Sequence, residues 1–208
     1  MRVWDIHPGF LNRQSLLGEH REIHAIHTVI SQEKRGYSRH PETLRWRDHL
    51  AALWLRHQQV VAEMRLRGFN HFSPLPAPLV EVIWPSVFID APGRQFFLLT
   101  EKYTHKEQGR IPLPASVDQL LRSHTLSLIS RERMLTEAKP DIPAGFASTA
   151  AALVQLLRQP PTNKGWTEVL GMLGAPCRDD ADLLLAFVRK EAERRSQATV
   201  LSDLLLWP

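Results

Sequence analysis

Apolar residues recur at helical spacing through two long stretches of the chain, and this periodicity constrains the fold more than any other feature. In the first stretch it predicts one helix over residues 10–32 and a second from Pro41 to about Arg67, since proline suits the first turn of a helix. Gly68 follows, at the position where a glycine commonly ends a helix. The apolar face of the second helix comprises Leu44, Leu50, Leu53, Trp54, Val60, Val61 and Met64.

A proline-rich stretch separates these helices from a second helical region. Seven prolines fall between positions 74 and 114, which predicts irregular or extended structure over residues 73–114. Its segments "EVIWPSVFI" and "QFFLLTEKY" are too apolar for a free linker, so we expect them to pack as a strap. Residues 115–208 are helical again, opening with a capping-box pattern from Ser116 to Gln119. The sequence therefore predicts an all-α chain: a helical unit over 1–72, a connector over 73–114 and a helical bundle over 115–208.

Several functional classes lack their sequence signatures. No apolar run approaches the roughly 20 residues that cross a bilayer, and the start of the chain has no apolar core of a signal peptide. The single cysteine, Cys177, excludes an intrachain disulfide, suits a reducing compartment and is expected to be structural. P-loop, dinucleotide-binding and G-x-S-x-G motifs do not occur in the sequence. We therefore expect a cytoplasmic protein with no membrane partner and no cofactor.

The positive charge of the chain is concentrated in its first third. Residues 1–72 carry 11 Lys and Arg, 10 of them Arg, against 7 Asp and Glu, whereas residues 73–208 carry 15 of each sign. Arginine presents a planar fork that binds phosphate in a bidentate manner. The distribution therefore favours a nucleic-acid partner, with a basic surface that has no partner as the alternative.

The stretch "LLGEHREIHAIH", residues 16–27, raises the question of a metal site. On a helix, His20, His24 and His27 fall within roughly 60° of one another, while Glu22 lies nearly opposite. A zinc hydrolase needs its histidines and its glutamate to converge, as in H-E-x-x-H. We therefore expect no metal here, and histidines that face solvent or a partner, or that contact nucleic acid.

Two segments of the first region resemble a known family of repair enzymes. The segment "LNRQSLLGEHREI" resembles the first helix of phage endonuclease V, a pyrimidine-dimer DNA glycosylase and AP lyase, and "QVVAEMRLRGFN" resembles the end of its second helix. "HPGFLNRQSLLGEHRE" and "KRGYSRHPETLR" are closer still to cellular relatives of that enzyme. The resemblance covers residues 1 to about 72.

The resemblance implies an imine mechanism on damaged double-stranded DNA. In that family the α-amine of the mature N-terminal residue, which would be Met1 here, displaces the base at C1′ and forms an imine with the opened sugar. A glutamate of the first helix, matching Glu22, stabilises the cationic intermediate and assists proton removal for β-elimination. Arg2 and Arg21 match arginines that bind the phosphates and the damaged strand, and Gln14 matches a family glutamine.

General chemistry is compatible with these roles. An α-amine has an ordinary pKa of about 7.7–8.0, against about 10.4 for a lysine amine, so roughly a tenth or more of it is neutral and nucleophilic near pH 7. The carboxylate must be ionised to stabilise an iminium and basic enough to accept a proton. The sequence also departs from the family, because Ser15 replaces a histidine and Ala25 an arginine. The lesion specificity therefore stays open, with His24 and His27 as candidate replacements.

The segment "KRGYSRHPETLR" supplies further candidate contacts. It combines positive charge for phosphates with one aromatic ring that could stack on an unpaired base. The candidates are Lys34, Arg35, Tyr37, Arg39 and Arg45. The alternative is an exposed loop followed by a helix start.

The C-terminal region shows a fainter resemblance to a helical domain fused to thiouracil desulfidases, where it is thought to hold RNA. His124 matches a motif histidine, whereas Arg131, Trp166 and Met172 replace others. Plain core packing is the alternative interpretation of its apolar periodicity.

Together the sequence favours a DNA glycosylase and AP lyase acting on UV-type pyrimidine dimers through Met1 and Glu22. The alternative is a non-catalytic nucleic-acid-binding protein on the same scaffold, with tRNA or a modified base as its ligand, and a metal-dependent nuclease ranks third. The exact lesion, DNA versus RNA, the retention of Met1, the role of residues 115–208 and the oligomeric state stay open.

Overall fold

The computed structural model describes residues 1–132, 145–175 and 181–206. These residues form helices and no strand, which confirms the predicted all-α fold. The chain divides into two compact units, Met1–Arg110 and Ile111–Pro208. Among the described helices, none combines the length and the apolar character that crossing a bilayer requires. Cys177 lies outside the described residues.

The first unit contains a short 3-10 helix, Pro8–Phe10, and four α-helices. These are α1 (Arg13–Ser31), α2 (Pro41–Trp46), α3 (Leu50–Leu66) and α4 (Pro92–Lys102). The helix predicted over 10–32 begins at residue 13, because the side chain of Asn12 accepts a hydrogen bond from the Ser15 N–H at 2.9 Å and caps the helix. Its inward face buries Leu16, Glu19, Ile23 and Ile26, and this face packs against α3.

The single helix predicted from Pro41 to Arg67 is in fact two, α2 and α3. The break falls at residues 47–49, which are all polar and so provide no apolar side chain to continue the buried face. The predicted end at Gly68 is confirmed, since Gly68 has φ +74°. Phe69 N–H donates to the Met64 carbonyl at 3.0 Å and Gly68 N–H donates to the Arg65 carbonyl at 2.9 Å, the bonds of a Schellman cap.

The expectation of irregular structure over 73–114 is correct for residues 73–91 and wrong for 92–102. Pro92 occupies the first turn of α4, and Phe96 and Leu99 recur at helical spacing on its buried face. The segment up to Arg110 belongs to the first unit rather than to a separate connector. Arg110 donates to the buried carboxylate of Glu63 at 2.7 Å, which ties the end of this segment to α3.

The second unit is helical where it is described, with α5 (Val117–Ile129), α6 (Phe146–Leu157), α7 (Asn163–Leu173), α8 (Ala181–Arg194) and α9 (Val200–Leu206). The predicted cap at Ser116 is present, with its hydroxyl accepting from the Gln119 N–H at 3.2 Å. A Cβ on Gly165 would collide with the Ser130 carbonyl. Only glycine therefore allows α7 to pack this closely against the end of α5. The interior includes polar groups, notably a bidentate Arg131–Asp203 ion pair at 2.9 and 2.7 Å.

Candidate active site

The first six residues contribute no helix or strand, and side chains accept the hydrogen bonds of their backbone. Val3 N–H donates to a carboxylate oxygen of Glu42 and Trp4 N–H to one of Glu19, both at 3.1 Å. Asp5 N–H donates to the amide oxygen of Gln95 at 2.8 Å. Side chains from α1, α2 and α4 thereby fix the segment that carries Met1.

Glu19 is the member of this set that holds the segment against α1. Its carboxylate also accepts two hydrogen bonds from Arg56 of α3, at 2.8 and 3.1 Å, and both side chains are buried. Burial raises the pKa of the Glu19 carboxyl above its ordinary value, and the Arg56 guanidinium opposes that rise. The ion pair therefore positions Trp4 at the cost of two desolvated charges.

Arg45 lies in the interior, contrary to the expectation that it contacts phosphate. Its side chain is 2% exposed and forms ion pairs with Asp5 and Glu42. Glu42 also accepts from the Trp46 indole N–H at 3.2 Å. Because the N-terminal segment buries the Asp5 carboxylate, it needs an internal counter-charge, and Arg45 supplies it.

Glu22 lies one helical turn beyond Glu19 on α1 and differs from it in its surroundings. Its side chain is half-buried, and none of the described residues forms a hydrogen bond or ion pair with it. The α-amine of Met1 is likewise without a polar partner within the described part of the chain. The two predicted catalytic groups are thus partly exposed and have no hydrogen-bond partner among the described residues, whereas the carboxylates of Glu19 and Glu42 each accept several hydrogen bonds.

The predicted strand-binding residues near the helix differ in availability. Gln14 and Arg21 are exposed and lie seven residues apart on α1, which puts them on one face of the helix. Arg2 is partly exposed, pairs with Asp90 at 2.6 Å and stacks over the Trp4 ring.

The loop after α1 presents the remaining predicted contacts to solvent. Lys34, Arg35 and Arg39 are exposed, and the Tyr37 side chain is 70% exposed. Tyr37 has φ +58°, a left-handed conformation that is uncommon for tyrosine. An open depression beside it is lined by Arg35, Tyr37, Ser38, Arg39 and His40. An exposed ring among arginines can stack on a base while the guanidinium groups bind phosphates.

Sequence reasoning missed Lys102, which α4 brings to α1. Its ammonium donates to the Ser15 hydroxyl at 3.0 Å. Burial lowers the pKa of Lys102, and the nearby charges of Lys106 and Arg2 lower it further. Lys102 lay in the stretch predicted to be irregular, so no sequence signal connected it with α1. It is a second amine whose reactivity any test of mechanism must separate from that of Met1.

The histidines of α1 also have partners that the sequence did not reveal. His20 and His24 meet His57 of α3 and His71, and one ligand nitrogen from each lies within 4.8 Å of the others. Burial lowers the pKa of His20 to about 4 and that of His57 to about 3, so these rings are neutral near pH 7. His24, predicted to contact nucleic acid, is partly exposed, and its Nε2 lies 3.1 Å from His57 Nε2. The imidazoles of His57 and His71 come from outside residues 16–27, so the spacing within that stretch does not reveal the cluster.

Comparison with protein families places a match at the N-terminal region. Residues 1–76, a little over a third of the chain, match the model of a family described as pyrimidine dimer DNA glycosylase. This match confirms the resemblance predicted for the segment. Comparisons with curated proteins and with solved structures gave no match.

Proposed function

We propose that this chain is a DNA repair glycosylase and AP lyase that acts on UV-type pyrimidine dimers through an imine formed at the α-amine of Met1. The family match over residues 1–76 carries the proposal. The fold supports it, because side chains hold the N-terminal segment in place, while the Met1 amine and the Glu22 carboxylate have no polar partner among the described residues.

The dimensions of the two segments allow these groups to meet. The Trp4 N–H donates a hydrogen bond to the Glu19 carboxylate at 3.1 Å. Met1 precedes Trp4 by three residues, so its amine lies at most about 10 Å from the Trp4 nitrogen. Glu22 lies one turn, about 4.5 Å of helix rise, from Glu19. A reacting sugar carbon between the amine and the carboxylate is therefore sterically reasonable.

The chemistry assigns one step to each group. The neutral amine attacks C1′ of the damaged nucleotide, the C1′–N-glycosidic bond breaks, and its electron pair leaves with the base. The attached amine then loses a proton, the C1′–O4′ bond breaks as the nitrogen electron pair forms the C1′=N bond, and O4′ takes up a proton, which leaves a protonated imine on the opened sugar. Glu22 stabilises this cation and removes a proton from the adjacent sugar carbon, after which β-elimination expels the 3′ phosphate.

Recognition would use the exposed basic groups of the first unit. Gln14 and Arg21 of α1 and the Tyr37 loop contact the duplex, and Arg2 joins them on releasing Asp90. C1′ is concealed in an intact duplex, so bending and extrusion of a base are expected. Arg45 and His24 are left out of this interface because their side chains are engaged within the protein.

Glu22→Gln tests the proposal, because it removes the charge and leaves the shape of the side chain. On duplex DNA with one cyclobutane pyrimidine dimer, we expect strand cleavage to fall by at least about 100-fold, the usual scale of a lost general base. DNA affinity and the unfolding midpoint should stay near those of the unaltered protein. Glu33→Gln, just beyond the same helix and exposed, is the matched control and should cleave normally. Unchanged cleavage by Glu22→Gln would exclude the role given to Glu22.

A further inference from the structure

We propose that His20, His24, His57 and His71 form a binding site for one divalent transition-metal ion, with Zn²⁺ the best match. The site goes beyond the proposed repair chemistry, and neither proposal depends on the other. The ligands come from α1, from α3 and from the segment after α3, so the ion would join three parts of the first unit.

The distances suit a tetrahedral centre. One ligand nitrogen from each histidine lies within 4.8 Å of the other three, and His24 Nε2 is 3.1 Å from His57 Nε2. With metal–nitrogen bonds of about 2.0–2.1 Å, tetrahedral geometry separates the ligand nitrogens by about 3.4 Å. Small rotations of the rings are therefore enough to bring all four nitrogens to bonding distance.

Two buried nitrogens in the cluster have no partner among the described residues, which points to a ligand. Within the described part of the chain, Nε2 of His20 and Nε2 of His71 are buried without a hydrogen bond. A buried polar atom left unpaired is destabilising, and native proteins usually avoid it. A metal ion at the centre of the cluster would satisfy both nitrogens with coordinate bonds.

In two of the four histidines the other ring nitrogen has a neighbouring group, and metal-bound histidines usually donate that N–H to an acceptor. Gln58 Nε2 lies 3.3 Å from His57 Nδ1, and a half-turn of this amide would present its oxygen to a Nδ1–H and leave Nε2 free to bind the ion. The backbone of Ser73 hydrogen-bonds with the His71 ring, and Nε2 of that ring is the nitrogen left unpaired. The two contacts thus restrain the rings of His57, which lies on α3, and of His71, which lies after it.

The ligand set selects the class of metal. Four neutral imidazoles suit Zn²⁺, Cu²⁺, Ni²⁺ or Fe²⁺, whereas Ca²⁺ and Mg²⁺ prefer oxygen ligands. Four protein ligands fill a tetrahedral shell and leave no position for water or substrate, which is typical of a structural zinc site. The ion would thus anchor the segment around His71 to α1 and α3 rather than take part in strand cleavage.

Metal binding by the untagged full-length chain tests the proposal. The protein is stripped with a chelator, dialysed and titrated with Zn²⁺ and separately with Co²⁺, with the bound metal measured by elemental analysis. We expect about one Zn²⁺ per chain, and a Co²⁺ form with the intense visible absorption of tetrahedral coordination. Failure to bind one equivalent at micromolar Zn²⁺, or an octahedral Co²⁺ spectrum, would overturn the site.

Variants on the same surface separate ligands from neighbours. His71→Ala removes a ligand from a segment outside any helix, and folding is verified by circular dichroism. Since changes next to a metal site already cost 10–100-fold in affinity, loss of a ligand should weaken Zn²⁺ binding by at least about 100-fold. His27 lies on α1 beside the cluster but is not one of the four ligands, so the His27→Ala variant should bind Zn²⁺ normally. Equal weakening in both variants would contradict the assignment.

Activity distinguishes this proposal from the repair function. Glu22→Gln should bind Zn²⁺ as the unaltered chain does, because Glu22 is not among the ligands. A chain that binds one Zn²⁺ but cleaves no damaged DNA would refute the repair function and leave the metal site intact. A chain that cleaves damaged DNA but binds no metal would refute the metal site and leave the repair function intact.

Discussion

The arginines of the first unit divide into buried and exposed residues. Arg45 and Arg56 are buried against carboxylates that hold the N-terminal segment, whereas Arg35 and Arg39 are exposed. Sequence reasoning assigned Arg45 to the DNA because it lies in the same short segment as the exposed ones. Its partner Asp5 is 40 residues away in sequence, so only the tertiary fold identifies it as an internal ion pair.

Loss of Arg56 should destabilise the protein far more than loss of a surface arginine. Arg56→Met leaves the buried Glu19 carboxylate without its counter-charge, which should cost about 3–5 kcal/mol in the free energy of unfolding. Arg122→Met breaks a comparable pair with Asp118, but those side chains are 61% and 73% exposed, so a change within about 1 kcal/mol is expected. Urea denaturation of both variants measures the difference, and equal losses would contradict a structural role for the Glu19–Arg56 pair.

At the scale of elements, local patterns predicted the helices where apolar spacing and caps agree. The caps at Ser116 and Gly68 could be read from the sequence because they depend on neighbouring residues only. The break at 47–49 and helix α4 could not, since tertiary packing decides whether a short polar interruption or a proline-rich stretch is helical. The missing α4 also concealed Gln95 and Lys102, which contact the N-terminal segment and α1.

The loop after α1 should act in DNA binding as a unit with two kinds of contact. Arg35→Ala and Arg39→Ala should each weaken binding to damaged duplex and reduce the slope of log affinity against log salt by about 1, since each removes one phosphate contact. Tyr37→Ala should weaken binding by about 1–3 kcal/mol without changing that slope, because stacking releases no counterion. Fluorescence anisotropy over a salt series measures both quantities.

Arg122→Ala, an exposed arginine outside the loop, controls for nonspecific loss of charge. A loop whose three variants bind damaged DNA like the unaltered protein would not belong to the interface.

For the whole molecule, the family match and the structural unit have different boundaries. The match ends at residue 76, whereas the first unit continues to Arg110. Residues beyond the match complete the candidate site, since Gln95 accepts the Asp5 N–H and Asp90 pairs with Arg2. The positively charged residues 1–72 are therefore only part of the first unit, and their N-terminal segment is held in part by Gln95 of α4.

Two residues that the fainter resemblance singles out in the second unit, His124 and Arg131, lie in its interior. His124 is buried, with Nδ1 2.8 Å from the Leu120 carbonyl, and Arg131 is paired with Asp203. Both residues therefore belong to the interior of the unit, as the core-packing alternative expects. Their partners lie along α5 and near the C-terminal end, which a comparison of short motifs could not detect.

His124 should make the stability of the chain depend on pH. Burial lowers the pKa of His124 from 6.5 to about 4, with Asp203 and Arg131 acting on it in opposite directions. Between these values the unfolded chain binds a proton that the folded chain does not, so stability should fall as pH decreases from 6.5 towards 4. Urea denaturation at pH 7 and pH 5 should show a smaller pH effect in His124→Gln than in the unaltered protein. An identical pH effect in both would contradict this assignment.

Imine formation at the Met1 amine is tested most directly by borohydride trapping on duplex DNA that contains one cyclobutane pyrimidine dimer, using protein whose chain starts at Met1. Undamaged and abasic duplexes, and a protein with one residue added before Met1, serve as controls. We expect a covalent adduct on dimer DNA that peptide mapping places at Met1, and no adduct with the extended protein. An adduct that maps to Lys102, or salt-sensitive binding with no adduct on any duplex, would contradict it.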